Sequence, residues 1–176
     1  MRKALLTSTV ATAMCVASAQ AQVKKEQVPG ITNFARVETT VACSGAIKPE
    51  SVAGIKKMGF AAIVNLRQAN EAGANIEAEE AAAKAAGINF IHIPMNGAMP
   101  DPAVFDKFLK AIVEPDNNPA FIHCATGNRA AAVWLVKRVL IDKWDNDRAS
   151  EEAAELGLTS QPLKTAALEY IRSHKQ

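Results

Sequence analysis

Cys124 and Arg129 are the residues of this sequence whose types and spacing could do chemistry. They lie in FIHCATGNRAAAVWLV (121–136), where an apolar strand end runs into His123 and Cys124, a short polar loop follows, and a helix begins. A thiol is a weak nucleophile until it loses its proton, and a neighbouring cation or helix N-terminus favours the thiolate. A helix starting near Ala130 would direct backbone N–H groups into the loop, with Arg129 adding a fixed charge. The backbone of Ala125, Thr126, Gly127 and Asn128 would form an anion nest, in which Gly127 supplies backbone freedom. A guanidinium can hold two oxygens of one anion at once. Nucleophile and anion receptor would then come from one stretch. The competing view is a buried structural cysteine with an arginine on a solvated helix turn. A His before the cysteine, a Gly three residues later and an Arg five later favour the functional loop.

Such a loop needs elements to hold it. A β-branched alternating run predicts a strand over 36–42, broken by Ser44-Gly45. Continuous apolar runs predict buried strands over 60–66, 88–94 and 120–124. Helices are predicted over 48–58, 75–87, 130–141, 149–156 and 161–173, the second stopping at Gly87. A further helix follows Asp101-Pro102, with Val104, Phe105, Phe108, Leu109 and Ile112 on one face. Strands alternating with helices imply an α/β fold with a mostly parallel central sheet of four to five strands, flanked by helices. Ligands of such sheets sit beyond the carboxyl ends of the strands. Ser44-Gly45, Asn65–Arg67, the 95–101 loop and the Cys124 loop should meet there.

The chain has 176 residues, 49% hydrophobic and 22% charged, which fits one globular domain. Residues 1–21 carry a basic start (Arg2, Lys3), an apolar run and Ala19-Gln20-Ala21, the pattern of a cleaved secretory signal peptide. Periplasmic or secreted localisation is the expectation. Without Arg2 and Lys3, 18 basic residues face 18 acidic ones, with no basic stripe and hence no expected nucleic-acid surface. No later run is long enough to span a membrane. Residues 22–33, polar with a Pro-Gly pair, predict a flexible leader, leaving a single domain over 34–176. Removal of the leader peptide leaves Cys43 and Cys124, an even count that permits a disulfide in an oxidising compartment.

HCATGNRA resembles the His-Cys-x-x-Gly…Arg signature of cysteine-dependent phosphatases of the tyrosine/dual-specificity superfamily. With CSGAIKPESV, AAIVNLR and EEAAAKAAGINFIHIP in this order, the chain is more closely similar to the bacterial DUF442 family, related to the beta-lactamase-hydrolase-like phosphatase domain. The likeness spans roughly residues 34–160. It implies a three-layer phosphatase-like fold and phosphoester hydrolysis through a phosphocysteine, without a cofactor. By the same resemblance Cys124 is the nucleophile and Arg129 binds the phosphoryl group. Ala125–Asn128 complete the cradle, His123 steadies the loop, and Asp101 is the candidate general acid. The pattern departs in two places. Most of the superfamily place five residues between Cys and Arg, and here there are four. Ala130 stands where a Ser or Thr usually follows the Arg. The shorter loop also resembles that of rhodanese sulfurtransferases, which implies a persulfide on Cys124. A third reading is an anion-binding module without turnover.

Other residues carry paired readings. Asp101 is equally a helix N-cap. Arg67 binds a substrate anion or makes an ion pair at the sheet rim. His92 and Trp134 fit the core, and the Glu-rich stretches 77–80 and 151–155 fit solvated faces. Three His and two mature Cys without ligand spacing predict no metal. The expected partner is a small anionic or phosphorylated substrate; oligomeric state has no signature in the sequence.

Overall fold

The computed structural model describes residues 23–37 and 39–175; the stretch 1–21, expected to be a signal peptide, lies outside the described residues. The chain runs β1 (Val23–Val28), β2 (Ile31–Val37), β3 (Val41–Ser44), a short 3₁₀ turn at Pro49–Ser51, α1 (Val52–Lys57), β4 (Ala62–Asn65), α2 (Ile76–Ala86) and β5 (Asn89–His92). Then come α3 (Pro102–Ile112), β6 (Ala120–His123), α4 (Asn128–Leu140), α5 (Asn146–Glu155) and α6 (Gln161–His174). One six-stranded sheet has the order β1-β2-β3-β6-β4-β5. The pairs β3–β6, β6–β4 and β4–β5 are parallel, and the two pairs of the β1-β2-β3 meander are antiparallel.

The sheet is therefore larger than the four to five strands expected, and the reason lies at its amino-terminal edge. The flexible leader expected over 22–33 is instead strand β1 and the start of β2. Its Pro29-Gly30 pair joins them, with Val28 opposite Ile31 and Gly30 at φ +77°, the left-handed conformation a proline-started turn takes at its second corner. β1 looks like a loop in sequence because VKKEQV is an edge strand with no buried residue, and lysines are what solvent-facing edges carry. The single strand expected over 36–42 is two, β2 and β3, folded back on each other with Val37 opposite Val41.

Helices cover both faces. Cys43, Val64 and Ile122 point into a core shared with α3, α4, α5 and α6, while Ala42, Ile63 and Phe121 point into a second core under α1 and α2. Alternation along β6 thus sends Ile122 to one layer and Phe121 to the other. Phe121 stacks on Phe34 at 6.1 Å and meets the edge of Phe60 at 5.5 Å, anchoring the strand that carries the Cys124 loop. α4 buries ten residues, Trp134 among them, which fits its apolar run.

Two Glu-rich stretches are not simply solvated faces. Glu79 is 1% exposed and Glu152 6% exposed, because each has partners inside the fold. Glu152 takes Arg138 and the Trp134 indole N–H at 2.7 Å, while Glu79 takes the Asn65 amide at 2.6 Å and lies 3.1 Å from His123. His92 is exposed at the sheet edge rather than in the core, with its ring nitrogen 2.8 Å from the Arg67 carbonyl. No described helix is long and apolar enough to cross a membrane.

Candidate active site

β6 ends at His123, and the chain turns through Cys124–Gly127 into α4. The turn is shaped by two glycines. Gly127 sits at φ +103°, where a side chain would be strained, and its N–H donates to the Cys124 sulfur at 3.1 Å. Gly45, after β3, is backed so closely by the loop that a Cβ there would lie 2.9 Å from the Ala125 carbonyl oxygen. That carbonyl accepts the Ala46 N–H at 3.0 Å, and the Thr126 carbonyl accepts the Asn33 amide at 3.1 Å. Each of these carbonyls is turned outward, and in a trans peptide the following N–H points the opposite way. The N–H groups of Thr126 and Gly127 are therefore aimed at the inside of the loop, where the sulfur lies. Cys124 itself is 1% exposed.

Arg129 begins α4 and binds three neighbouring strand ends together. Its Nη1 donates to the Leu66 carbonyl after β4 at 3.0 Å and to the Met95 carbonyl after β5 at 2.8 Å. Its Nη1 and Nη2 also clamp the Glu71 carboxylate, the second at 2.8 Å. A guanidinium has five N–H groups. Among the described residues no hydrogen bond uses Nε, and Nη2 spends one hydrogen. The Nε–Nη2 edge thus keeps two parallel donors, the fork that grips two oxygens of one anion. Burial alone would lower the Arg129 pKa, but the Glu71 hydrogen bonds and the charge at Cys124 outweigh it and raise the pKa. Burial likewise pushes the Glu71 carboxyl up, and hydrogen bonds from Arg129 and the Gln68 N–H overcome that, holding it near a pKa of about 2.

Glu71 is the residue sequence reasoning missed. It lies in QANEAG, a loop with no periodic pattern. Its signal was the spacing of Arg67 and Glu71 at the end of an apolar strand. Arg67 folds this loop: it donates to the carbonyls of Gly73 at 2.9 Å and Ala72 at 2.6 Å and reaches Glu71 at 3.4 Å. Its guanidinium is 3% exposed and turned to the loop interior, so Arg67 positions Glu71, which in turn orients Arg129.

The other named residues are placed as follows. Asn128 turns its side-chain Oδ1 to the N–H groups of Thr159 at 2.7 Å and Ser160 at 2.8 Å, tying the loop to the start of α6. His123 points to the face opposite Cys124, with its Nε2 3.1 Å from Glu79 on α2. Asp101 is exposed and accepts the Ala103 N–H at 2.9 Å as the N-cap of α3. A cleft of about 360 Å³ opens over the loop, lined by Gln68, Glu71, Gly97, Arg129, Ser160 and Leu163 among others; Asp101 is not in its wall. The disulfide between Cys43 and Cys124 is not formed; both thiols are free and buried. Cys43 stands opposite Ile122, and Cys124 lies two residues further on. Strand spacing and rise put such positions about 8 Å apart, whereas bridged Cβ atoms lie within about 4.5 Å. Burial, with the charges at Cys124 and Glu152, pushes the Cys43 thiol well up. No group of three or more His, Cys, Asp or Glu among the described residues could hold a metal ion.

With that geometry in place, comparison with known proteins gives a direct match. The family model for the phosphatase-like domain of beta-lactamase hydrolase-like proteins matches residues 33–141, from β2 to the end of α4. The chain belongs to that family. A beta-lactamase hydrolase-like protein of Xylella fastidiosa (strain Temecula1) is 26% identical over 144 residues, covering 77% of this chain and 33% of the relative. The matched stretch thus covers about a quarter to a third of the length of the curated relatives. A DUF442 structure from Shewanella putrefaciens CN-32 superimposes with a TM-score of 0.70 at 16% identity, covering 84% of this chain and 96% of the other. P. aeruginosa TpbA superimposes with a TM-score of 0.65 at 21% identity, covering 89% and 92%. These two likenesses are of fold, and they place the three-layer phosphatase architecture on this chain. The match covers the Gly45 turn, the Arg67–Glu71 loop, the Met95 strand end and the Cys124–Arg129 turn, but not Thr159 and Ser160, which hold Asn128.

Proposed function

We propose that this domain hydrolyses a phosphomonoester through Cys124. The observation that carries the reading is the Nε–Nη2 edge of Arg129, not taken up by Glu71 or a carbonyl and close to a cysteine sulfur that accepts the Gly127 N–H. A phosphoryl group would place two oxygens on that edge and a third on the loop N–H groups. The Cys124 thiolate attacks phosphorus, the phosphorus–oxygen bond to the alcohol breaks, and the alkoxide takes a proton. Asp101 is the candidate donor, as the protonated carboxyl, through the oxygen not used on Ala103 and by movement of the 95–101 loop over the cleft. Water then attacks the phosphocysteine, giving a proton back to the Asp101 carboxylate, the phosphorus–sulfur bond breaks, and orthophosphate leaves with the thiolate restored. P. aeruginosa TpbA, a neighbour in fold, is known in complex with phosphotyrosine, which supports an anionic phosphoester here. The same reading includes export, with cleavage after Ala21 and residence in the periplasm. Amino-terminal sequencing of the periplasmic protein should begin at Gln22.

A second reading is sulfur transfer. The four-residue gap, Ala130 after the arginine, and an Asp101 that stands outside the cleft wall favour it. In that reaction the thiolate attacks the outer sulfur of thiosulfate, the sulfur–sulfur bond breaks, sulfite leaves, and cyanide then removes the sulfur as thiocyanate. The paired assay is release of phosphate from p-nitrophenyl phosphate and thiocyanate formation from thiosulfate and cyanide, for reduced wild type and Cys124→Ser. Phosphate release that depends on Cys124 is the expected result. Thiocyanate formation without phosphate release reverses the order of the two readings, and neither activity leaves an anion-binding module.

A further inference from the structure

Behind the Cys124 loop, three polar side chains are buried side by side: Ser44, His123 and Asn65, at the ends of β3, β6 and β4. Strand alternation puts them on the face of Ala42, Phe121 and Ile63, away from Cys124. Helix α2 meets them with one carboxylate, Glu79. Its Oε2 accepts the Asn65 amide N–H at 2.6 Å and stands 3.1 Å from His123 Nε2. Among the described residues, Glu79 Oε1 and both ring nitrogens of His123 are buried without a hydrogen bond. Burying a carboxylate with an idle oxygen costs stability, and an apolar side chain of similar volume is often no worse. Packing therefore does not account for Glu79.

The Asn65 amide leads from Glu79 to Arg129. Its Nδ2 is given to Glu79, and its Oδ1 accepts the Arg67 N–H at 2.8 Å. A carboxylate only accepts and an N–H only donates, so the amide fits in one orientation. Reversed, it would set oxygen against the carboxylate and N–H against N–H. The Arg67 N–H belongs to the peptide that joins Leu66 to Arg67. In a trans peptide the carbonyl points the opposite way. That carbonyl, of Leu66, accepts Arg129 Nη1 at 3.0 Å. One peptide plane is thus gripped by Asn65 on one side and supports Arg129 on the other.

We propose that Glu79 is a positioning residue: from behind the sheet it fixes the Asn65 amide, and through the Leu66–Arg67 peptide it holds Arg129 ready for an anion. The proposal rests on the phosphatase reading for the reaction it serves, while the hold on Arg129 can be measured by anion binding alone. Glu79 touches neither the cleft nor Cys124, so its effect on the site must run through this path.

Glu79→Met and Glu79→Gln separate positioning from packing. Both keep the length of glutamate and lose its charge, but only the glutamine keeps an oxygen for the Asn65 amide. The measurements are kcat/KM for p-nitrophenyl phosphate and calorimetric binding of inorganic phosphate with Cys124→Ser added, on protein shown by urea unfolding to be folded. Glu79→Met should lose about tenfold in kcat/KM and about fivefold in phosphate affinity, and Glu79→Gln should stay within about threefold of wild type in both. Asn65→Ala should lose as much as Glu79→Met, and the two together no more than either, because they lie on one path. Wild-type values in Glu79→Met, a Glu79→Gln as impaired as Glu79→Met, or losses that multiply in the double variant overturn the proposal. Should Glu79→Met not fold, Asn65→Ala decides: a tenfold loss beside a near-normal Glu79→Gln supports positioning, and no loss removes it. If wild type does not turn over p-nitrophenyl phosphate, the phosphatase reading falls, and the same pattern in phosphate affinity still decides the role of Glu79. Absence of phosphate binding to Cys124→Ser itself removes the anion site and the proposal with it.

Discussion

Helix α4 carries two arginines, each clamped on a glutamate, and they do different work. Arg138, near the carboxyl end, gives its Nε and Nη2 to the Glu152 carboxylate at 2.7 and 3.0 Å and its Nη1 to Asp142 at 3.0 Å. It is also sandwiched against Trp134 at 4.7 Å and Trp144 at 4.1 Å. Its bidentate edge is spent, and the pair closes the core between α4 and α5. Arg129, at the amino end, gives Glu71 its Nη1–Nη2 end and keeps the Nε–Nη2 edge. Burial and an acidic partner are common to both. What separates a structural arginine from a binding one here is which edge of the guanidinium the protein consumes.

The largest effect that would sharpen this contrast is on stability. Arg138→Met leaves Glu152 buried without its cation, which costs about 3–5 kcal/mol. Activity per folded molecule should stay within about threefold, since Arg138 touches nothing in the cleft. Urea unfolding with parallel turnover of p-nitrophenyl phosphate measures both; a large loss of kcat in the folded variant would break the contrast. Arg129→Lys should do the reverse. Losing the fork should lower kcat/KM about 10²–10³-fold while the protein still folds. A variant that retains activity would show that the free edge is not used.

Glu71→Gln comes next. The amide can still accept from Arg129, but the charged clamp is gone, and kcat/KM should fall about tenfold as the guanidinium loosens. The smallest effect is in acid. The folded Glu71 carboxyl has a pKa of about 2 against an ordinary 4.5, so its contribution to stability is full above 4.5 and disappears as pH falls toward 2. Wild type should lose more urea resistance than Glu71→Gln over that window. Equal losses would mean that the Arg129–Glu71 pair does not hold in solution.

The uneven legibility of this chain has physical causes. β4 announces itself because both its faces are covered, so FAAIVNL is apolar without alternation, whereas INFIHIP, also expected to be buried, holds the edge strand β5, none of whose residues is buried. The Asp101-Pro102 cap of α3 needed only local chemistry and is read directly. β1 was hidden because an edge strand buries nothing and its lysines look like a linker. Cys124 and Arg129 stood out because one short turn must place both. Glu71 and Glu79 did not, because their partners lie far off in sequence: Arg129 is 58 residues from Glu71, and His123 meets Glu79 across the β4–β6 face. Composition gives a lone glutamate no such address; only the folded strand ends supply it.

The central claim is that phosphoryl transfer runs through Cys124. The direct measurement is rapid acid quenching of the enzyme during turnover of p-nitrophenyl phosphate, followed by mass mapping of the peptide that contains Cys124. The account predicts a phosphoryl adduct on that cysteine, formed in a burst and absent in Cys124→Ser. Phosphate release with no adduct, or a persulfide from thiosulfate with no phosphate release at all, would contradict it.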